Sequence, residues 1–160
     1  MTKARANSVK LVLTAAIVTA SFAGPMAALA KADPNNDGTL KTGYQLLAQG
    51  ESERAYAFFE SKSKKYASSG ACLTGMGKAL KRLGKLDQAK EQFRRSIEVD
   101  PNYADGFYEI GVLLEQDKDW SNAAQAFQRY VDLKPDAAER KTVLDRIQYC
   151  KGQVQKRRSS

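Results

Sequence analysis

The sequence predicts an all-α fold, a solenoid of stacked helical hairpins, and three columns of residues carry that expectation. Gly43, Gly77 and Gly111 recur at one fixed step; Ala55, Ala89 and Ala123 keep the same step, and so do Phe59, Phe93 and Phe127. A common residue type recurs by chance about once in fifteen positions, and Phe less often. Three uninterrupted columns are therefore not coincidence. A step of this size, about 34 residues, marks stacked two-helix units. Such arrays make grooves instead of catalytic pockets, which directs the functional reading toward binding.

Residues 1–30 precede the array. Lys3, Arg5 and Lys10 give a positive start with no acidic residue before Asp33, and Leu11 to Ala23 is uncharged and apolar or small. Pro25 breaks that run, and Ala28-Leu29-Ala30 is the small-x-small pattern of a signal-peptidase site. Residues 1–30 are thus expected to be a secretory signal peptide cleaved before Lys31. An uncleaved anchor and a buried core helix are the alternatives, but the run from Leu11 to Ala23 falls short of the ~20 residues that span a bilayer. No cysteine near the cleavage point can carry lipid, and a lone Arg5 is not a twin-arginine signal. The expected product is exported and soluble and begins at Lys31, with residues 31–37 as a flexible leader.

Three units follow, at 36–69, 70–103 and 104–137. The third reads Phe107-x-x-Ile110-Gly111-x-x-Leu114, then Ala123-x-x-x-Phe127, then Pro135. The second reads Leu73-x-x-Met76-Gly77-x-x-Leu80, then Ala89-x-x-x-Phe93, then Pro101. The first is weaker, with Thr39 and Thr42 before Gly43, Leu46 after it, and Ala67 in the place of Pro. In each of the stronger units the apolar residues share one helical face at i, i+3, i+7 spacing. Mid-helix Gly is disfavoured by about 1 kcal/mol against Ala, so three in register imply a packing demand. The expected packing brings Ala89 or Ala123 of the second helix onto Gly77 or Gly111, with Phe93 and Phe127 filling the space between units. Gly50 and Gly84 suit the turns inside units one and two, and Asp117-Lys118-Asp119 takes that place in unit three. Pro101 and Pro135 end the second helices, since Pro cannot continue a helix interior.

These motifs resemble the tetratricopeptide repeat pattern, W-x2-L-G-x2-Y…A-x3-F…P, over residues 36–137. The resemblance implies a right-handed superhelical α-solenoid of helix-turn-helix hairpins. After Pro135 a capping helix is expected over 138–154, with Asp136 as its cap and Val143, Leu144, Ile147, Cys150 and Val154 as an apolar stripe. A polar-backed terminal helix covers the open end of a repeat array. Residues 155–160 are expected to be a disordered basic tail, read either as a solvated terminus or as an electrostatic tether.

Composition narrows the function. The chain carries a formal charge of +8, and removing Lys3, Arg5 and Lys10 leaves +5 (8 − 3) for the expected mature part. The sign alternates along the array: seven basic against four acidic residues over 70–103, three against six over 104–135, seven against three over 136–160. That is not a uniform nucleic-acid footprint, and no nucleic-acid partner is expected. The chain has no histidine, so the commonest general base and metal ligand are missing. There is no G-x-S-x-G, P-loop or C-x-x-C, and Glu109 and Glu115 read as scattered carboxylates. No enzyme activity, cofactor or metal is expected. The two cysteines, Cys72 and Cys150, fall far apart in the array and are expected to be buried and unpaired. Asp33-Pro34-Asn35-Asn36-Asp37-Gly38 matches the opening of a calcium loop, but its closing position falls on Tyr44 and its ninth on Lys41. The plainer reading is a leader whose Asp37 or Thr39 caps the first helix.

The resemblance also implies where a ligand lies. In tetratricopeptide arrays the first helix of each unit lines a concave groove through set repeat positions. By register these are Leu40, Tyr44 and Leu47 in unit one, Thr74, Lys78, Lys81 and Arg82 in unit two, and Asp105, Tyr108, Val112 and Glu115 in unit three. An aromatic and aliphatic patch beside a basic centre suits a peptide carrying an acidic group; the alternative is that the apolar members pack beneath neighbouring helices. Some relatives clamp a C-terminal carboxylate with two lysines, two asparagines and an arginine. The matching positions here hold Leu40, Tyr44, Gly75, Asp105 and Glu109, so that clamp is absent. The expectation is an exported, periplasmic or secreted bacterial scaffold that binds a protein or peptide in assembly of an envelope complex. The alternative is a membrane- or cell-wall-associated protein held by its basic tail or an uncleaved hydrophobic N-terminus, and self-association also stays open.

Overall fold

A computed structural model describes residues 38–159. Residues 1–37, with the expected signal peptide, the leader and all but the glycine of the calcium-like motif, lie outside them, as does Ser160. A 3-10 turn, Gly38–Leu40, leads into α1 (Lys41–Ala48). There follow α2 (Ser52–Ser63), α3 (Gly70–Arg82), α4 (Leu86–Val99), α5 (Ala104–Gln116), α6 (Trp120–Leu133) and α7 (Arg140–Arg158). No strand occurs among the described residues. Each helix packs on the next, and α1, α3 and α5 also lie side by side. The fold is therefore the expected all-α solenoid of hairpins, with the first helix of each hairpin on one face.

The turns inside the hairpins are three copies of one device. Gly50, Gly84 and Lys118, each one repeat on from the last, adopt φ of 81°, 75° and 61°. After each, the next N–H closes back onto the helix it leaves: Glu51 onto Leu46 O, Lys85 onto Leu80 O and Asp119 onto Leu114 O, all at 2.9 Å. This is the Schellman closure, which satisfies carbonyls otherwise orphaned at a helix end. Unit three makes it without glycine, as the motif reading expects. Helices α4 and α6 end at Val99 and Leu133, just ahead of Pro101 and Pro135.

The glycine columns answer a different neighbour from the one expected. A Cβ at Gly77 would lie 2.4 Å from Phe93, one at Gly111 2.8 Å from Phe127, and one at Gly43 2.5 Å from Phe59. The aromatic column, not the alanine column, rests on the glycines. Phe59 also lies where a Cβ at Gly75 would be, 2.3 Å away, so its ring is shared by two hairpins. The alanines are fully buried nonetheless.

Helix α1 follows the 3-10 turn with no side-chain cap at Leu40, and at eight residues it is shorter than the thirteen of α3 and α5; Asp37, one of the two expected caps, lies outside the described residues. At the other end, Asp136 does not cap α7, which starts at Arg140 behind Glu139. The Glu139 carboxylate instead accepts from Tyr130 Oη, and that bond holds its carboxyl below the usual range. Val143, Ile147 and Cys150 are buried, so the predicted stripe faces the core. The helix continues to Arg158, so residues 155–158 are helical and not a frayed tail. Cys72 and Cys150 are both free and buried.

Candidate functional site

The face built by α1, α3 and α5 holds a cleft of about 290 Å3 lined by Tyr44, Leu47, Ala48, Lys78, Lys81, Arg82 and Glu109. Tyr44 is held from three sides. Its hydroxyl donates to Ala71 O at 2.7 Å and lies 3.4 Å from Tyr103 Oη, and its ring meets Phe59 edge-on at 5.2 Å. Burial, then the neighbouring Tyr103, raises its pKa far above the ordinary phenol value. One turn apart on α3, Lys78 and Lys81 converge on one carboxylate. Lys78 Nζ lies 3.4 Å from Glu109 Oε1 and Lys81 donates to Oε2. Lys78 also stands 5.8 Å from the Tyr44 ring centroid, a cation–π distance. Arg82 reaches back to α1 and donates to Leu47 O, a carbonyl near that helix's C-terminal end.

The Glu109 side chain is 9 % exposed, whereas the two lysine side chains keep 27 % and 28 %. A carboxylate this deep is tolerated because both lysines pair with it. Three cations against one carboxylate leave two formal positive charges (3 − 1) at the mouth of a partly apolar cleft. The ammonium groups retain donors for a further acceptor, since each carries three. Such an arrangement has the donors and the surface to take an anion beside an apolar or aromatic side chain.

Of the residues placed in the groove by register, Tyr44, Leu47, Lys78, Lys81 and Arg82 come together here. Thr74 does not line the cleft. It is fully buried, and its hydroxyl donates to Ser96 Oγ at 2.8 Å, which in turn donates to Gly70 O at 2.9 Å. Leu40 is a core residue at 2 % exposure. The unit-three members are turned over to α7: Arg146 pairs with Glu115 (Nε to Oε2, 2.9 Å) and approaches Tyr108 Oη at 3.3 Å, its guanidinium 4.6 Å above Phe127. Val112 packs into the same cluster, and Asp105 pairs with Lys134 at 2.6 Å. The groove thus stays open across units one and two and is covered at unit three.

Sequence reasoning missed two groups. Glu109 read as one carboxylate among several; its match one repeat earlier is Gly75, so the register gave no sign that it meets Lys78 and Lys81. Arg146 lies on the polar side of the predicted stripe, and nothing local shows that it reaches α5. No cluster of potential metal ligands, and no helix long and apolar enough to cross a membrane, occurs among the described residues.

A tetratricopeptide repeat family model matches residues 74–138. Among solved structures, the chain is similar to the Sgt2 tetratricopeptide domain from Aspergillus fumigatus. The TM-score is 0.65 at 16 % identity, covering 78 % of this chain and 82 % of that one. It is similar also to the type III secretion chaperone SycD of Yersinia enterocolitica in complex with a peptide of the translocator YopD. That match scores 0.62 at 15 % identity, over 74 % and 92 % of the two chains. The TPR2B domain of yeast Sti1 in complex with pHsp70 matches with a TM-score of 0.63 at 13 % identity, over 71 % and 94 %. Together with the helical architecture, these findings show a fold similar to that of tetratricopeptide repeat domains.

Proposed function

We propose that this chain is an exported scaffold that holds a segment of another protein in the cleft on α1, α3 and α5, within an envelope assembly. The observation that carries the reading is the positive surplus of Lys78, Lys81 and Arg82 over buried Glu109, next to Tyr44 and Leu47. An acidic side chain or carboxyl terminus would take the free lysine donors, while an apolar neighbour would rest on Tyr44 and Leu47. The YopD-peptide complex of SycD and the pHsp70 complex of Sti1, two similar folds, support the class of ligand. Export rests on the charge and hydropathy pattern of residues 1–30.

The test is capture of partners from the host's envelope fraction with wild type and with Lys78→Glu plus Lys81→Glu. The double variant is expected to lose the partner. Because this change leaves buried Glu109 without its partners, helicity is measured alongside, and Arg82→Gln, which keeps both lysine pairs, is expected to weaken capture with helicity unchanged. Undiminished capture would move the site elsewhere. For export, the N-terminus of the protein recovered from the host is expected at Lys31.

A membrane-surface role is the second reading, favoured by the end of α7, where Lys151, Lys156, Arg157 and Arg158 gather and Arg157 lies 6.0 Å from the Trp120 ring. Basic side chains beside a tryptophan suit an anionic interface. Removal of residues 155–160 that leaves co-sedimentation with anionic vesicles unchanged would eliminate it.

A further inference from the structure

The repeat pattern is broken at one place away from the concave cleft. On α3, Leu73, Met76 and Leu80 are 2 %, 7 % and 2 % exposed. Their equivalents on α5, Phe107, Ile110 and Leu114, share one helical face at the same spacing, yet Phe107 and Leu114 are only partly buried. That face is roughly opposite the one carrying Tyr108, Glu109 and Val112, given about 100° per residue. The three residues floor a cleft of about 470 Å3 between α4 and α6, larger than the concave one. Its size falls within the range of about 300–1,000 Å3 seen for ligand sites.

The sequence explains why unit three is open where unit two is closed. Beside α3, Tyr56 of α2 packs against the core around Leu80, and Tyr66 is buried in one cluster with Leu73 and Met76. The positions one repeat later are Lys90 and Asp100. Lys90 pairs with Asp117 beyond the end of α5, and Asp100 accepts from Asn102 N at 3.2 Å; neither lines the cleft. The aromatic cover is missing, so the apolar floor remains.

The rim carries a net positive charge, two arginines against one aspartate. Arg94 from α4 and Arg129 from α6 are exposed, and neither makes an ion pair among the described residues. The single acid in the lining, Asp119, is engaged in capping α6: Asn122 donates to it from N at 3.4 Å and from Nδ2 at 2.8 Å. Two guanidinium groups with free donors thus flank an apolar floor. Arg is the side chain best shaped for bidentate capture of carboxylates.

We infer that the cleft between α4 and α6 is a second docking site, occupied by a partner-protein segment that sets apolar side chains on Phe107, Ile110 and Leu114 and carboxylates on Arg94 and Arg129. It is separate from the concave cleft and does not depend on it.

The test is a titration of the full, isotope-labelled chain, followed by amide NMR. The probe is a short end-blocked peptide of alternating aspartates, leucines and phenylalanines, and the control has lysine for every aspartate. Saturable shifts are expected in amides of α5 and α6 around Ile110 and Ala126 with the acidic peptide alone. Arg94→Glu plus Arg129→Glu is expected to weaken that binding about tenfold or more. Because these arginines are exposed, helicity should persist, and Arg94→Gln plus Arg129→Gln gives a milder check. Arg82→Gln, a change in the concave cleft that leaves Glu109 paired, is expected to leave the shifts around Ala126 unchanged, which separates this site from the concave one. The inference is overturned if the shifts are confined to α1 and α3, if both arginine variants bind like wild type, if the lysine peptide binds equally well, or if no saturable shift appears.

Discussion

One substitution, glycine to alanine, carries opposite signs at two positions. At Gly77 the new methyl would lie 2.4 Å from Phe93, a buried ring with no room to retreat. Overpacking of this kind costs about 1–3 kcal/mol, which outweighs the gain of about 1 kcal/mol in helix propensity. At Gly152, exposed within α7, a Cβ meets nothing within 4 Å, so only the gain of up to about 1 kcal/mol remains. Urea unfolding should show Gly77→Ala less stable than wild type and Gly152→Ala more stable. Lys118 supplies a second contrast, since it holds φ 61° in a column otherwise filled by glycine. Left-handed geometry costs an L-residue about 1–2 kcal/mol, and glycine's extra unfolded-state freedom returns about 0.5–1 kcal/mol of that. Lys118→Gly is expected to raise stability by a few tenths to about 1 kcal/mol, seen as a higher midpoint at unchanged slope. The glycine turns were legible because turn geometry is local. The partner of the glycine columns was not, because Ala and Phe recur with the same period, and only packing separates which of them touches Gly77.

Between helices, the decisive group is Glu109. It fastens α5 to α3 through Lys78 and Lys81 and also neutralises part of the charge a ligand would meet. Glu109→Gln keeps the shape and leaves the two lysines facing one another. The expected loss is about 1–3 kcal/mol, below the range for fully buried pairs, because the lysines reach solvent. The same change is expected to strengthen capture of an acidic peptide by the concave cleft. Weaker capture with intact helicity would show that Glu109 orients the lysines instead of competing with the ligand. Helix α7 shows the boundary of sequence reasoning in the other direction. Its apolar stripe at Val143, Ile147 and Cys150 follows from period alone. The reach of Arg146 to Glu115 and Tyr108, which removes unit three from the groove, depends on how α7 lies over α6 and has no local signature.

For the array as a whole, the repeat period was enough for architecture, and the register placed five groove residues in one cleft. What the register could not supply is inequality among units. Gly75, on which Phe59 rests, is matched in unit three by Glu109, and Tyr56 and Tyr66 are matched by Lys90 and Asp100. Hairpins of one repeat pattern therefore carry a charged cleft on the face of α1, α3 and α5 and an apolar-floored cleft between α4 and α6. A uniform repeat would have neither.

The Phe59 ring, wedged against Gly43 and Gly75 at once, has a thermodynamic consequence. Arrays of this kind melt as coupled neighbours, with cooperativity set by the interfaces. Sharing one ring ties the short α1–α2 hairpin to α3, so the first hairpin should not fray independently of the second. Native-state hydrogen exchange is expected to give α2 and α3 a common opening free energy in wild type. In Phe59→Ala, α1 and α2 should exchange by a separate, lower-energy opening while α5 and α6 keep their protection. Independent opening of α2 already in wild type would refute the coupling. The weakest motif in the chain would then owe its order to a neighbour's glycine.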